Sequence, residues 1–312
     1  MTRATRMPDD PLALLFDPTA PLPTIVQGIT GRMGRKHAGL MRAYGTDIVG
    51  GTAPSGGKSP DVTEIDGLPV FRSCSEAVRA TGAVASVALV PPFDVLEAIR
   101  EAVEAGIRLV VTVTEGMPVA DAVRARAIVR QAGARWVGAS TPGVAVPGRA
   151  KLGFIPTVSL HPGSIGVMAK SGTLSYETNH RLVACGLGQS VWIGVGGDPV
   201  KGTRFADALP FFNADPATRA IVLVGEIGGN EEEEFAQALR ACAGPKPVFA
   251  VIAGHGAREG VVMGHAGAVV HGDAGTFDAK KRALESAGAG VFDSIDGLIG
   301  ALLAHPLLIA AT

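Results

Sequence analysis

Short apolar runs, each closed by glycine, proline or a charge, alternate along this chain with stretches whose apolar residues recur at helical spacing. The first run, Thr24-Ile25-Val26, enters a turn with glycines at 28, 31 and 34, and a helical segment over Arg35–Tyr44 follows. Asp47–Thr52 reads as a second strand, Leu68–Phe71 and Ala85–Val90 as later ones, with helices around Ser75–Ala80 and over Val95–Ala105. Strand Leu109–Val113, helix Val119–Ala132 and strand Arg135–Gly138 complete a first array. A second starts at Ser164–Ala169 and adds strands at Ser190–Val195, Ala220–Val224, Pro247–Ile252 and Val291–Phe292. Its helices are expected after Ser171 and over Phe205–Ala214, Glu231–Ala241, Phe277–Ala287 and Ile295–Ala304. Strands and helices in this alternation predict an α/β chain of two successive doubly wound units. Ligands of such sheets collect at the carboxyl ends of the strands, so the turns after 26, 52, 90 and 113 should line one crevice.

Two stretches stand outside the pattern. Met1–Ala20 carries Asp9, Asp10 and Asp17 without an apolar centre and reads as a loose extension, not a signal peptide. Ala139–Pro162, rich in proline and glycine, reads as a linker or crossing loop. The boundaries that follow are an extension over 1–20, a first domain over 21–145, a linker over 146–163 and a second domain over 164–312.

Composition narrows the class. Hydrophobic residues make up 47% of 312, enough for a well-buried interior, while 5% aromatics and 42 glycines suit an aliphatic α/β protein with glycine turns. A net charge of −1 argues against a nucleic-acid partner, which calls for a basic face. No apolar run approaches the length of a membrane span. Cys74, Cys185 and Cys242 are odd in number and scattered, so no disulfide framework or zinc site is expected, and a reducing cytoplasm is the natural setting.

The candidate chemistry lies on loops after strands. His265 sits between Gly264 and Gly267 in a nearly apolar stretch. Histidine serves near neutral pH as base, metal ligand or phosphate acceptor, although a lone histidine among apolar residues is also an ordinary core residue. Ser171-Gly172-Thr173 opens a helix, which suits either an anion site or a plain N-cap. Gly196-Gly197-Asp198 and Glu226 follow other strands of the second unit. A histidine that takes a phosphoryl group needs one ring nitrogen as nucleophile and an acceptor on the other, a role Glu226 can fill. The run Glu231–Glu234 reads as a solvated first helical turn complementing the dipole. In the first unit, Thr30–Gly34 offers a helix start to a phosphate. The second strand runs into Thr52-Ala53-Pro54-Ser55-Gly56-Gly57-Lys58 instead of the acidic residue that holds a nicotinamide ribose, so NAD is disfavoured.

From about Thr24 onward the sequence resembles the α subunits of succinyl-CoA synthetases and the related nucleoside-diphosphate-forming acid–CoA ligases. The resemblance is carried by QGITG, AYGTDIVGG, GLPVF, TEGMP, TPGVAVPG, KSGTLSYE, GQSVWIGVGGDPVKG, VGEIGGNEEEE and MGHAGA, in that order. It implies a Rossmann-like CoA-binding domain followed by a flavodoxin-like ligase domain. It also implies an ATP-grasp β subunit, in an αβ or α2β2 assembly, that binds ATP or GTP with Mg2+. The implied reaction joins a small carboxylic acid to coenzyme A through an acyl phosphate and a phosphohistidine. His265 would carry the phosphoryl group, with Glu226 orienting it and Ser171, Gly172 and Thr173 facing the phosphate. Thr30, Gly31, Arg32, Met33, Gly34, Pro54, Lys58, Val90, Pro91, Thr114 and Glu115 would bind CoA. No metal ligand is implied in this chain.

Some positions depart from that pattern. Gly138-Ala139-Ser140-Thr141-Pro142-Gly143 stands where the family has Gly-Pro-Asn-Cys-Pro-Gly, which makes Ser140 and Thr141 candidates for contact with the acid. Lys170 replaces a common arginine, keeping the charge without a bidentate grip. Lys58 is displaced relative to Pro54, and His271-Gly272-Asp273 replaces a small-residue run. Succinate is the leading acid. A paralogue for another dicarboxylate (malate, itaconate or citrate) and a non-catalytic CoA-binding subunit are the alternatives. His37, His161, His180, His255, His271 and His305 match no motif and are expected to be surface or structural.

Overall fold

The structure, a computed structural model, describes residues 9–53, 62–256, 260, 264–270 and 275–309. They form two compact units, one of Asp9–Ile155 with Val200–Thr203, the other of Pro156–Pro199 with the chain from Arg204 onward.

In the N-terminal unit, strands β1 (Thr24–Gln27), β2 (Ile48–Thr52), β3 (Glu64–Ile65), β4 (Leu68–Phe71), β5 (Ala85–Ala88), β6 (Leu109–Thr112) and β7 (Arg135–Gly138) form one sheet. Its order is β3-β4-β2-β1-β5-β6-β7. Apart from the short antiparallel β3, this is the order of dinucleotide-binding folds. Helices α1 (Arg32–Tyr44), α2 (Cys74–Thr81), α3 (Val95–Glu104) and α4 (Val119–Gln131) connect the strands. Every residue of β1, β5 and β6 is buried, which is why these strands read as unbroken apolar runs. Ile25, Ile99, Val110 and Trp136 anchor the core, and the Trp136 indole donates to Thr112 Oγ1 at 2.7 Å. The strand order reverses between β1 and β5, so the turn after β1 and the loop after β5 face one crevice.

Both stretches set apart in the sequence prove to be structured. Within 139–162, strands β8 (Gly143–Val146) and β9 (Ala150–Gly153) pair antiparallel, with Val144, Ala145 and Leu152 buried. Here proline and glycine end two short strands where they had suggested a loop. The hairpin is tied to α1: the Gly153 amide donates to Met41 Sδ at 3.3 Å. In the described part of the N-terminal segment, Pro11–Leu15 is a single 3-10 turn capped by Asp10. It buries Leu12, Leu15 and Phe16, and Asp10 pairs with Arg135. This part of the segment is docked, because Leu12, Leu15 and Phe16 face inward.

The C-terminal unit contains β10 (Pro162–Ala169), α5 (Gly172–Ala184), β11 (Gln189–Gly194), α6 (Phe205–Ala214), β12 (Ala220–Glu226), α7 (Glu231–Ala241), β13 (Val248–Ala253), α8 (Phe277–Ser286), β14 (Gly290–Phe292) and α9 (Ile295–Leu303). These strands run parallel in the order β14-β13-β12-β10-β11, which is the flavodoxin-like order. β12 is central and buried along its whole length. The order reverses between β10 and β12, where the fold leaves a crevice at the carboxyl ends. Lys170 and Ser171 follow β10 there, and Glu226 ends β12. Among the described residues, no helix is long and apolar enough to cross a membrane.

Candidate functional site

Glu226 is the last residue of the central strand, held in register with Ala253 of β13, and its side chain is almost completely buried. Its Oε2 lies 2.6 Å from Nδ1 of His265, which reaches the strand end from the loop after β13. The imidazole retains 23% exposure, against 8% for the carboxylate. One ring nitrogen therefore faces a buried acceptor while the side chain still has access to solvent. Two glycines permit this approach. A Cβ on Gly197, in the loop after β11, would lie 2.4 Å from His265 Cγ and 2.6 Å from Nδ1. One on Gly228, two residues after Glu226, would lie 2.2 Å from the Gly267 carbonyl. The ring thus rests on bare backbone.

Behind Glu226 lies a cluster of buried charges. Glu231 is 4% exposed and Glu232 is fully buried, so the first turn of α7 is not solvated as a run of four glutamates suggests. Glu231 Oε1 accepts the Phe205 amide at 3.0 Å. The Glu232 carboxylate accepts from Lys170 Nζ at 3.0 Å, and from Lys280, which also bonds to Glu233 at 3.1 Å. Its Oε1 takes the backbone N–H of Glu226 at 3.1 Å. Burial alone would keep the Glu232 carboxyl protonated, but the charges and hydrogen bonds of Lys170 and Lys280 prevail and draw its pKa down to about 2. Burial likewise disfavours the Lys170 ammonium, and Glu232, Glu231 and Glu226 together hold its pKa above the ordinary lysine value. Lys170 is 5% exposed and paired with Glu232 and Glu231.

Ser171 caps α5 by accepting the Leu174 amide at 3.3 Å, and Gly172 is the first helical residue. Thr173 is exposed. Strand order brings this helix start to the same sheet edge as Glu226, since β10 and β12 are neighbours. Asn230, the residue before α7, makes no side-chain cap and accepts from Arg204 Nη2 at 3.2 Å.

In the N-terminal unit, a crevice of about 530 Å³ opens where the strand order reverses. Gly28, Thr30, Gly31, Val90 and Pro91 line it, joined by Arg72 and by the acidic Asp94, Glu97 and Glu101. Gly34 lies behind the turn, where a Cβ would meet the Gly28 carbonyl at 2.0 Å, so only glycine lets α1 start this close to β1. Arg32 and Met33 are exposed on the first turn of α1, and Glu115 is exposed after β6. Thr114 Oγ1 donates to the Val90 carbonyl at 2.7 Å and so braces one wall. Pro54, Lys58 and His271 lie outside the described residues.

Relatives show what this pair of sites belongs to. The succinate–CoA ligase [ADP-forming] subunit alpha of Aquifex aeolicus is 46% identical over 272 residues, covering 86% of this chain and 88% of that protein. The subunit alpha 2 of Archaeoglobus fulgidus is 45% identical, covering 86% and 91%. The chain belongs to the succinate–CoA ligase α-subunit family. A CoA-ligase family matches residues 168–290, and a CoA binding domain family matches residues 19–116. Among solved structures, an ATP citrate lyase of Methanosaeta concilii in complex with (3S)-citryl-CoA superposes with a TM-score of 0.81 at 23% identity. It covers 94% of this chain, which spans only 50% of the lyase's length, and the likeness extends to the fold.

Ser140 and Thr141 both lie in the N-terminal unit. Ser140 has φ +56°, and its amide donates to the Thr114 carbonyl at 2.9 Å. Thr141 is buried and its Oγ1 accepts the Gly143 amide at 3.0 Å. Sequence reasoning missed Glu232 and Lys280. A signal was present: Phe235, Ala236 and Leu239 form the buried stripe of α7, and one turn back that stripe falls on Glu231 and Glu232. The acidic residues of the crevice carried no comparable signal, since α3 reads as an ordinary amphipathic helix.

Proposed function

We propose that this chain is the α subunit of a nucleoside-diphosphate-forming acid–CoA ligase, that His265 carries the phosphoryl group between nucleotide and acid, and that Glu226 orients it. The observation that carries this reading is the 2.6 Å contact between a buried carboxylate at the end of the central strand and Nδ1 of a partly exposed histidine. A carboxylate on Nδ1 fixes the tautomer with the proton on that nitrogen, so Nε2 is the nucleophile. It also stabilises the positive charge that develops on the ring as the N–P bond forms. The family's α designation implies a β partner. In this reading that partner has the ATP-grasp fold and holds ATP or GTP with Mg2+.

Phosphate passes from the nucleotide to Nε2, releasing the diphosphate, and then to the acid carboxylate as an acyl phosphate. The CoA thiol displaces phosphate from the acyl carbon to give the thioester. CoA occupies the crevice of the N-terminal unit, where Thr30 and Gly31 at the start of α1 offer N–H groups to its phosphates. Val90 and Pro91 form the apolar wall. Ser171, Gly172 and Thr173 at the start of α5 receive the phosphoryl group. Succinate is the acid, and Ser140 and Thr141 tune its acceptance. The test is a panel of dicarboxylates assayed with CoA and nucleotide on the complex with the β subunit. Succinate should turn over fastest, and the His265→Ala complex should be inactive with every acid. Full activity of His265→Ala would refute the reading.

A further inference from the structure

The buried charge cluster is more than a helix start needs. A first turn carrying glutamates is satisfied by solvent and by its own dipole. Here instead Glu232 is fully buried and gripped from two elements, by Lys170 after β10 and by Lys280 of α8, while its Oε1 takes the Glu226 amide. Gly225 makes room for it: a Cβ there would lie 2.8 Å from Glu232 Oε1. Lys280 also bonds to the Gly229 carbonyl at 3.1 Å, in the loop that links Glu226 to α7. The residue after β10, α7 and α8 thus converge on the end of β12 from which the Glu226 carboxylate projects.

We propose that Lys170, Glu232 and Lys280 are positioning residues for His265, fixing the end of β12 so that Glu226 meets Nδ1 and offsetting the negative charge that a phosphoryl group brings there. This rests on the reading of His265 as the phosphorylated residue. Among the described residues, the charged groups around the site are Glu226 on β12, Lys170 after β10, Glu231, Glu232 and Glu233 on α7, Lys280 on α8, and Asp198, which follows Gly197 in the loop after β11. A phosphoryl group on the imidazole adds negative charge to a neighbourhood already rich in carboxylates, and buried charges interact far more strongly than solvated ones. The two ammonium groups provide the compensation.

The test measures the rate of histidine phosphorylation from γ-labelled nucleotide against pH, in the complete complex with the β subunit, with melting temperatures recorded alongside. The acid limb of that profile reports the ionisation that phosphorylation requires. Lys170→Met removes a nearby positive charge, makes protonation of the site easier and should move the limb upward by about one pH unit. Lys170→Arg restores the charge and should restore the limb. Glu232→Gln removes a negative charge and should move it downward. Glu233→Gln, at the partly exposed rim, should shift it downward by less and tests the same electrostatics if the buried variants do not fold. A purely structural cluster would lower rates or melting temperatures without shifts of opposite sign. Unmoved limbs, or limbs moving the same way in Lys170→Met and the glutamate variants, overturn the proposal. If the wild-type complex takes no label, the failure lies in the reading of His265 and not in the cluster.

Discussion

Gly197 is the position where one methyl group should separate the fold from the chemistry. A Cβ built there lies 2.4, 2.6 and 2.7 Å from Cγ, Nδ1 and Cδ2 of His265, well inside the roughly 3.5–4.0 Å at which carbon atoms pack. The ring must therefore move by about 1 Å. Added to a hydrogen bond of 2.6 Å, a displacement of that size breaks the contact with Glu226. A hydrogen bond to an ionised group contributes about 2 kcal/mol, or roughly thirtyfold in rate when it acts on the reacting state. Gly197 does not adopt the left-handed backbone of its neighbour Gly196 (φ +94°), so alanine adds no backbone strain. The assay is single-turnover phosphorylation of the Gly197→Ala complex, alongside its CoA affinity and melting temperature. Phosphorylation should fall about thirtyfold, while CoA affinity stays at the wild-type value and the fold stays intact. Wild-type phosphorylation kinetics in this variant would refute the idea that the ring must be seated against Glu226.

Other outcomes follow from the same geometry. Glu226→Gln keeps an acceptor but loses the charge, and phosphorylation should drop by roughly ten- to a hundredfold with unchanged CoA binding by calorimetry. The Glu232 carboxyl titrates at about 2 in the fold against 4.5 in its absence, so its contribution is complete above about pH 4.5 and is lost as pH falls towards 2. Denaturant titrations should show about 3 kcal/mol of acid-labile stability over that window, missing in Glu232→Gln; an identical slope in the variant would contradict it. Ser140 sits at φ +56°, a region open to asparagine and costly for β-branched residues. Ser140→Asn should therefore raise the melting temperature and Ser140→Val lower it, at a stability cost of about 1–2 kcal/mol for the latter. Gly34→Ala forces α1 away from the Gly28 carbonyl, and CoA affinity measured by calorimetry should fall at least tenfold.

The doubly wound pattern was legible because β1, β5, β6 and β12 are buried on both faces and appear as apolar runs, whatever their neighbours. The positions of His265 and Glu226 were legible because each follows a strand, and loops at carboxyl ends converge in such sheets. What escaped was whatever depends on direction within a short segment. Leu12, Leu15 and Phe16 are too few to set a period, yet all three are buried. In Pro142–Gly153 the turn residues outweighed two four-residue strands. Four consecutive glutamates read as solvated: the apolar stripe of α7 pointed to burial of Glu231 and Glu232, but nothing local shows their partners Lys170 and Lys280, far away in sequence. Lys170 escaped for the same reason, since its ammonium turns inward and pairs with Glu232.

The central claim is that His265, oriented by Glu226, accepts the phosphoryl group. It is tested most directly by incubating the complex with γ-labelled nucleotide in the absence of acid and CoA, then mapping the phosphate by mass spectrometry under conditions that preserve N–P bonds. Stoichiometric, acid-labile phosphate on His265, lost in His265→Ala and discharged on adding succinate and CoA, is the expected result. Label on any other residue, or label that survives His265→Ala, would contradict the account.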